Sequence, residues 1–582
     1  MDYKERRDAW LKSEYVSEEQ KTYIRGSSQD EQKEMFSGDL EFGTGGMRAL
    51  IGPGSARFNT LTVRRATIGV AKYLLGKYGP AAARERGFAI SFDNRHFSKE
   101  FRDTAAKVLT DMGFTVYTFH DPHPTPELSY TVRLNNCIGG LMLTASHNPR
   151  EYHGYKVYDE KGCQCVYESV DQLIEVINSL PDELAVNYNL VREDRIGKVV
   201  FLDETGDYDK AYVAKEISTS LYLGHYQGER LTKIVFSPEC GCDSKVGPMT
   251  LFGAGYDVTT VPGQDFFDPD FTGTKNPNPE TDGAYEGAIR TLNKLNAEGK
   301  RYNLILVTDP DADRCGIAFV NKDGQIQRFT GNQTGALLID FVLKTLTDRN
   351  ALPEGAVVCN TFVTGGQGAK AAEYYGAEVK TTATGFKYIG NMADRLVEEG
   401  KTYVFGYEES YGYLLKDFVR DKDSLQSILY IADMCEYYLR QGKTLDIAYE
   451  ELCQRLGRYY NDQVSFYFYG SDSHAKMKDQ ITKLRKNPPS RLGDDNVVTM
   501  VDYQERTVTD FAGKVRYPLQ APDVDVNDCL RFNFEDGSFV AVRPSGTEPK
   551  VKVYVEVIGK NDADAKVVMD KRVATLKKRL GL

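Results

Sequence analysis

Apolar positions change period repeatedly along the chain. From about residue 60 the stretch TVRRATIGVAKYLLGKY (62–78) has helical spacing. GFAISFD (87–93) and GFTVYTFH (113–120) are short, β-rich and bounded by glycine, so they predict strands. FRDTAAKVLTDM (101–112) between them predicts a helix. Such alternation marks a layered α/β sheet. It restarts with the strands KIVFSP, YDVTTVP and YNLILVTD, and again with AVVCNTFVT, EVKTTAT and TYVFGYEES. The last 120 or so residues differ. VSFYFYG, VVTMVDY, CLRFNFEDGSFVAVRPSG and KVKVYVEV are strand-like, and a final helix is expected from about Ala563 to Leu580, so this part predicts a separate α+β domain. Residues 1–40, charged with spaced aromatics, predict a helical arm.

Polar loops interrupt this pattern where a buried strand ends, the place where open α/β sheets collect ligands. In LMLTASHNP, Ser146 is either a nucleophile at a strand end or an N-cap, a role serine also favours. DPDADR sets Asp309, Asp311 and Asp313 at alternate positions, where they repel one another unless a cation lies between them; a solvated acidic turn is the rival. An EF-hand is excluded, because Arg314 and Val320 occupy the positions that need Gly and Glu. RPSGTEPK, with Arg543, Ser545, Gly546, Thr547 and Lys550, offers backbone amides, hydroxyls and a guanidinium to an anion, or is an ordinary turn. GYEES pairs Glu408 with Ser410, suited to sugar hydroxyls or to an acidic helix start. EFGTGGMRALIG joins mobile glycines to Arg48, which suits phosphate but lacks a dinucleotide fingerprint.

Composition narrows the reading. At 582 residues the chain has room for about four domains. Its 41% hydrophobic and 27% charged residues are an ordinary soluble profile. A net charge of -11 argues against a general nucleic-acid binder, though not against a small anionic substrate in a local basic cleft. MDYKERRDAW lacks a signal-peptide core and no run is long enough to span a bilayer, so a cytoplasmic enzyme without a membrane partner is expected. The ten cysteines are scattered. The pairs Cys163/Cys165 and Cys240/Cys242 have C-x-C spacing, so reduced thiols are expected rather than a zinc knuckle.

Together these loops are specific. T-A-S-H-N-P, with lysine ten residues after the serine, occurs in order with D-x-D-x-D-R, G-x-E-E-S and R-P-S-G-T-E-P. The chain resembles the α-D-phosphohexomutase family, in its long phosphoglucomutase and phosphopentomutase branch, over about residues 40–560. The resemblance implies four domains around a central cleft, three α/β domains with mixed sheets and a C-terminal α+β domain, with boundaries expected at 1–212, 213–325, 326–455 and 456–582. It implies that Ser146 carries the transferable phosphoryl group, and that Asp309, Asp311 and Asp313, with an oxygen on Ser146, hold Mg²⁺. Arg48, His147 and Lys156 match active-site cations, and Lys387 or His147 is the candidate acid/base. Thr384, Gly385, Phe386 and Lys387 match a sugar-contacting loop, and Glu408 with Ser410 the sugar-recognition pair. Arg543, Ser545, Gly546 and Thr547 match the loop for the non-transferring phosphate, and Arg314 follows the aspartates as in the family. The implied activity is interconversion of glucose 1-phosphate and glucose 6-phosphate through a phosphoserine and glucose 1,6-bisphosphate. Ribose or deoxyribose phosphates, a bisphosphate synthase and an idle sugar-phosphate binder are the alternatives. His153 stands where the family usually has Asn, which leaves substrate preference open. Oligomeric state is not readable.

Overall fold

A computed structural model describes residues 2–43, 45–186, 190, 196–222, 228–470, 472–521, 524, 526–545 and 549–582, with the side chains of 167 and 168 excepted. The chain forms two compact units, one of residues 1–328 and 412–442, the other of 329–411 and 443–582.

The first unit opens with helices α1 (Tyr3–Lys12), α2 (Glu18–Gly26) and α3 (Gln29–Phe36). Trp10 is buried there, edge-on to Phe36 at 5.9 Å, and its indole N–H donates to Glu183 at 2.8 Å. Then follow β1 (Met47–Leu50), α4 (Thr60–Glu85), β2 (Phe88–Phe92), α5 (Ser98–Asp111), β3 (Thr115–Thr118), α6 (Thr125–Leu134), β4 (Gly140–Leu143), β5 (Tyr152–Tyr158), α7 (Tyr167–Asn178) and β6 (Lys198–Phe201). The strands make one sheet in the order β1-β5-β4-β2-β3-β6. β2, β3, β4 and β6 run parallel where they pair; β5 turns back antiparallel on β4 and carries β1 antiparallel at the edge. Every residue of β2 and β4 is buried, as expected of central strands covered on both faces. Asn59 caps α4 by accepting from the amides of Leu61 and Thr62 at 3.1 Å.

A second sheet follows. Its elements are α8 (Asp207–Ile217), β7 (Lys233–Ser237), α9 (Asp243–Gly253), β8 (Asp257–Thr260), α10 (Glu286–Ala297), β9 (Leu304–Thr308), β10 (Cys315–Val320) and β11 (Ile326–Arg328). Strand order is β11-β10-β9-β7-β8, with β9 and β10 an antiparallel hairpin. α14 (Ser424–Leu439) belongs to this unit and is capped by Asp423, which accepts from the amides of Leu425 and Gln426.

In the second unit, α11 (Gly331–Asp348), β12 (Ala356–Thr361), α12 (Gly366–Tyr374), β13 (Glu378–Thr382), α13 (Phe386–Glu398) and β14 (Thr402–Glu408) form a layer in which β12 pairs parallel with both β13 and β14. After β15 (Gly412–Leu414), α14 and α15 (Leu445–Leu456) in the chain come β16 (Tyr459–Tyr467), β17 (Arg491–Leu492), β18 (Asp495–Asp502), β19 (Thr507–Asp510), β20 (Val515–Pro518), β21 (Leu530–Phe534), β22 (Phe539–Pro544) and β23 (Lys550–Ile558), which together make an eight-stranded sheet. The strands of this sheet pair antiparallel. α16 (Ser473–Lys486) and α17 (Asp562–Arg579) cover one face over a core of Phe532, Val542, Val553 and Leu576. The expected α/β alternation and the sheet-rich C-terminal part are both present.

Candidate active site

The four loops start from strands, but the strands run further than the sequence pattern suggests. β14 extends through Glu408, and β22 through Pro544. No helix starts at GYEES.

Ser146 ends the turn after β4. Its backbone is left-handed, φ 53°, and its amide donates to the Thr144 hydroxyl at 2.7 Å. Its side chain is buried and its hydroxyl donates to Asp309 Oδ2 at 2.9 Å; His147 Nδ1 lies 3.2 Å from Ser146 Oγ. β5 approaches this turn closely: a Cβ on Gly154 would meet the Thr144 carbonyl oxygen at 2.3 Å. The loop is fastened by Arg95, from the polar segment after β2. This buried guanidinium donates to the carbonyls of Ser146 (2.5 Å), Asn148 (2.6 Å), Pro149 (2.8 Å) and Tyr152 (3.1 Å), and is itself held by Asp93. Arg48 on β1 donates to Asn148 Oδ1 at 3.0 Å.

The three aspartates lie in the β9–β10 turn and are fully buried. Asp309 Oδ1 accepts from the amides of Asp313 and Arg314 at 3.1 and 3.0 Å, which curls the loop around it. Ala312 adopts φ 59° within that curl. One oxygen of each aspartate lies within 4.8 Å of the others. Lys156 on β5 reaches Asp311 at 3.0 Å and Asp313 at 3.7 Å; Lys422 reaches Asp313 at 2.7 Å. Arg314 pairs with Glu280 at 2.7 Å and lies 3.9 Å from Asp309. Thr125 donates its amide to the Asp311 carbonyl at 2.9 Å and its hydroxyl to Asp311 Oδ2 at 3.2 Å.

The charges are unequal. Burial, then Asp313 and Asp311, raise the Asp309 carboxyl well above its ordinary range. Burial also opposes ionisation of Asp311, but Lys156 and Lys422 outweigh it and hold that carboxyl below the usual range. Desolvation, with Arg314 and Arg48 nearby, pushes His147 well below its ordinary value and keeps the imidazole neutral. Two buried oxygens, Asp311 Oδ1 and Asp313 Oδ1, have no hydrogen-bond partner. Uncompensated buried carboxylate oxygens are costly. Converging as they do in an all-oxygen cluster, they fit a hard divalent cation.

Four family models match in chain order. They are phosphoglucomutase/phosphomannomutase alpha/beta/alpha domain I over residues 39–183, domain II over 210–322, domain III over 330–456, and the C-terminal domain over 499–573. The chain belongs to the phosphoglucomutase/phosphomannomutase family. A phosphoglucomutase from Staphylococcus haemolyticus (strain JCSC1435) is 33% identical, covering 90% of this chain and 92% of that one. One from Staphylococcus aureus (strain USA300) is 32% identical over 92% and 93% of the two chains. Two solved structures share the fold. One is a family protein from Burkholderia thailandensis (18% identity, TM-score 0.64, covering 92% and 96%); the other is parafusin, a phosphoglucomutase from Paramecium (19%, 0.64, 93% and 94%).

The other residues expected for this family lie in the second unit. Thr384 and Gly385 precede α13, Gly385 at φ 119°, and Lys387 lies in its first turn, 5.1 Å from the Tyr388 ring. Glu408 is buried at the end of β14, with Ser410 just beyond. Arg543 ends β22, and the Ser545 amide donates to the Lys550 carbonyl at 2.8 Å. Gly546 and Thr547 fall outside the described residues.

Residue reasoning overlooked Arg95, Lys422 and Thr125. Arg95 had a usable signal, since DNRH is another polar segment directly after a buried strand. Lys422 stands in the mixed-charge run RDKD, which looks like a solvated surface but is buried. The structure places His153 away from any substrate. It is fully buried on β5, stacked on Phe58 at 4.9 Å and 2.8 Å from the Ser98 hydroxyl, so it packs the core rather than facing a substrate. All ten cysteines are buried thiols, and among the described residues neither C-x-C pair belongs to a metal-type cluster.

Proposed function

We propose that the protein interconverts glucose 1-phosphate and glucose 6-phosphate by way of phosphorylated Ser146 and a glucose 1,6-bisphosphate intermediate. The observation that carries this reading is the Ser146 hydroxyl, placed 2.9 Å from Asp309 above a buried three-carboxylate cluster. The curated relatives covering nine-tenths of the chain carry the name phosphoglucomutase, which supports it. Asp309, Asp311 and Asp313 are the residues that would hold Mg²⁺. Bound there, the ion would withdraw charge from phosphoryl oxygens at Ser146.

Phosphoryl transfer is mainly positioning and charge stabilisation. The phosphorus–Oγ bond of phosphoserine breaks and Oγ takes up a proton from His147, as a bond forms to the free hydroxyl of the sugar monophosphate, whose own proton passes to a base. In the return step the other phosphoryl group of the bisphosphate moves to Ser146, the hydroxyl proton leaves Oγ, and the sugar oxygen so released takes up the proton that the base on its side holds. His147 Nδ1, 3.2 Å from Oγ, is placed to take this proton and to return it in the next cycle. Lys387 is the candidate on the sugar side. Arg48, Lys156 and Arg314 offset the charge in transit, and Arg95 keeps the serine loop in place. Glu408 and Ser410, Thr384 and Gly385, and the loop of Arg543, Ser545, Gly546 and Thr547 are assigned to the sugar and its fixed phosphate.

Ser146→Ala tests the proposal. Intact mass should show one phosphate on the natural protein and none on the variant, with conversion of glucose 1-phosphate abolished. Full turnover by the variant would overturn the mechanism. Faster turnover of ribose 1-phosphate than of glucose 1-phosphate would overturn the hexose assignment.

A further inference from the structure

The first unit holds a second buried cluster that the proposed reaction does not use. His123, Glu127 and Asp209 each point a ligand-type atom to within 4.8 Å of the others, and all three are buried. His123 precedes α6, Glu127 lies in its first turn, and Asp209 lies in the first turn of α8. The His123 ring stacks on Phe119 at 3.9 Å, and its Nδ1 lies 2.8 Å from the Asp121 carbonyl oxygen. A carbonyl only accepts, so Nδ1 carries the hydrogen. In the neutral ring Nε2 then presents a lone pair, yet it faces Asp209 Oδ1 at 3.0 Å. Lone pair against carboxylate is repulsive unless a positive species lies between them.

A proton on Nε2 would satisfy Asp209, whose other oxygen is paired with Lys245. It would leave Glu127 unexplained. That side chain has no measurable exposure, and neither of its oxygens makes a hydrogen bond. Burying an unpaired carboxyl is costly. A divalent metal answers all three groups together. We infer that His123 Nε2, Asp209 Oδ1 and a Glu127 oxygen form a second metal site that takes Zn²⁺. The mixed nitrogen and oxygen donors favour zinc over Mg²⁺, which prefers oxygen and water. The Asp121 carbonyl and Lys245 are outer partners of the kind that orient metal ligands.

The location gives the site a structural role. Thr125 lies between His123 and Glu127 and holds Asp311 through both its amide and its hydroxyl. A metal on the residues at either side would pin the segment that supports Asp311.

The test uses the full chain, stripped with chelator, dialysed into excess Mg²⁺ and then titrated with Zn²⁺, with bound zinc read by elemental analysis. One zinc per chain should resist the magnesium. Glu127→Gln and His123→Gln should each weaken it at least tenfold, while Asp311→Asn should retain it. Cobalt substitution of the natural protein should give visible bands of a nitrogen- and oxygen-ligated ion, a reading that holds even where a variant fails to fold. No zinc retained against Mg²⁺, zinc lost only in Asp311→Asn, or cobalt bands absent would each overturn the site and leave a protonated His123 paired with Asp209.

Discussion

Ser146 holds a left-handed backbone at φ 53°, which costs a non-glycine residue about 1 kcal/mol. Such strain persists where surroundings over-determine it, and here Arg95 is the clamp. Arg95→Lys keeps the charge but loses the fork that reaches several carbonyls at once. Because displacement of about 1 Å can cost about a hundredfold in rate, kcat should fall by about that factor while Mg²⁺ affinity holds. An unchanged kcat would remove Arg95 from the positioning of the loop. Glu239 offers a separate test by pH. It is fully buried, and burial outweighs the nearby Thr274 hydroxyl and the hydrogen bond from Ser237 to raise its pKa to about 8. The folded state thus keeps a proton that the unfolded chain releases above pH about 4.5. Stability is lost as pH rises from there to about 8. Glu239→Gln cannot ionise, so it should match the natural protein near pH 4 and gain on the order of 4 kcal/mol by pH 8. Equal denaturation midpoints for the two proteins at pH 8 would refute this. At this scale the serine and aspartate loops were legible from spacing, whereas the placement of Arg95 and His153 was not. Whether a lone Arg or His is buried depends on partners far away in sequence.

Individual elements set the loops. The β9–β10 turn curls because Asp309 accepts two amides of its own loop, and it rests on the segment between β7 and α9. There the Cys242 amide donates to the Pro310 carbonyl at 2.8 Å, and a Cβ on Gly241 would come within 2.4 Å of Pro310 Cα. Gly241→Ala must therefore shift the aspartate turn. We expect Mg²⁺ affinity to drop by roughly tenfold or more with the circular dichroism unchanged, as for lost support around metal ligands. A magnesium titration superimposable on the natural protein's would show that the turn tolerates the methyl. The helices and parallel strands matched their sequence patterns well. β5 was harder: YHGYKVY mixes His, Gly and Lys, and its nearly continuous burial hides the two-residue period. It is a strand because β4 and β1 hydrogen-bond to both of its edges.

Over the whole molecule, Ser146 and the carboxylate cluster lie in one compact unit, and the residues proposed for the sugar and its fixed phosphate belong to the other. If that division reflects separate tasks, Arg543→Ala should raise KM for glucose 1-phosphate at least tenfold yet leave the phosphate on Ser146 intact by mass. Loss of that phosphate would contradict the division. The amino-acid order alone determined the layered α/β class, the sheet-rich C-terminal part, the family and the serine and aspartate loops, because periodicity and short motifs are local. Tertiary structure alone decided that residues 412–442 leave the surrounding segment and pack with the first unit, delivering Lys422 to Asp313. It also decided that Arg95 ties four carbonyls of the serine loop and that His153 is core. Those outcomes rest on desolvation and on pairing between residues distant along the chain, which no local pattern records.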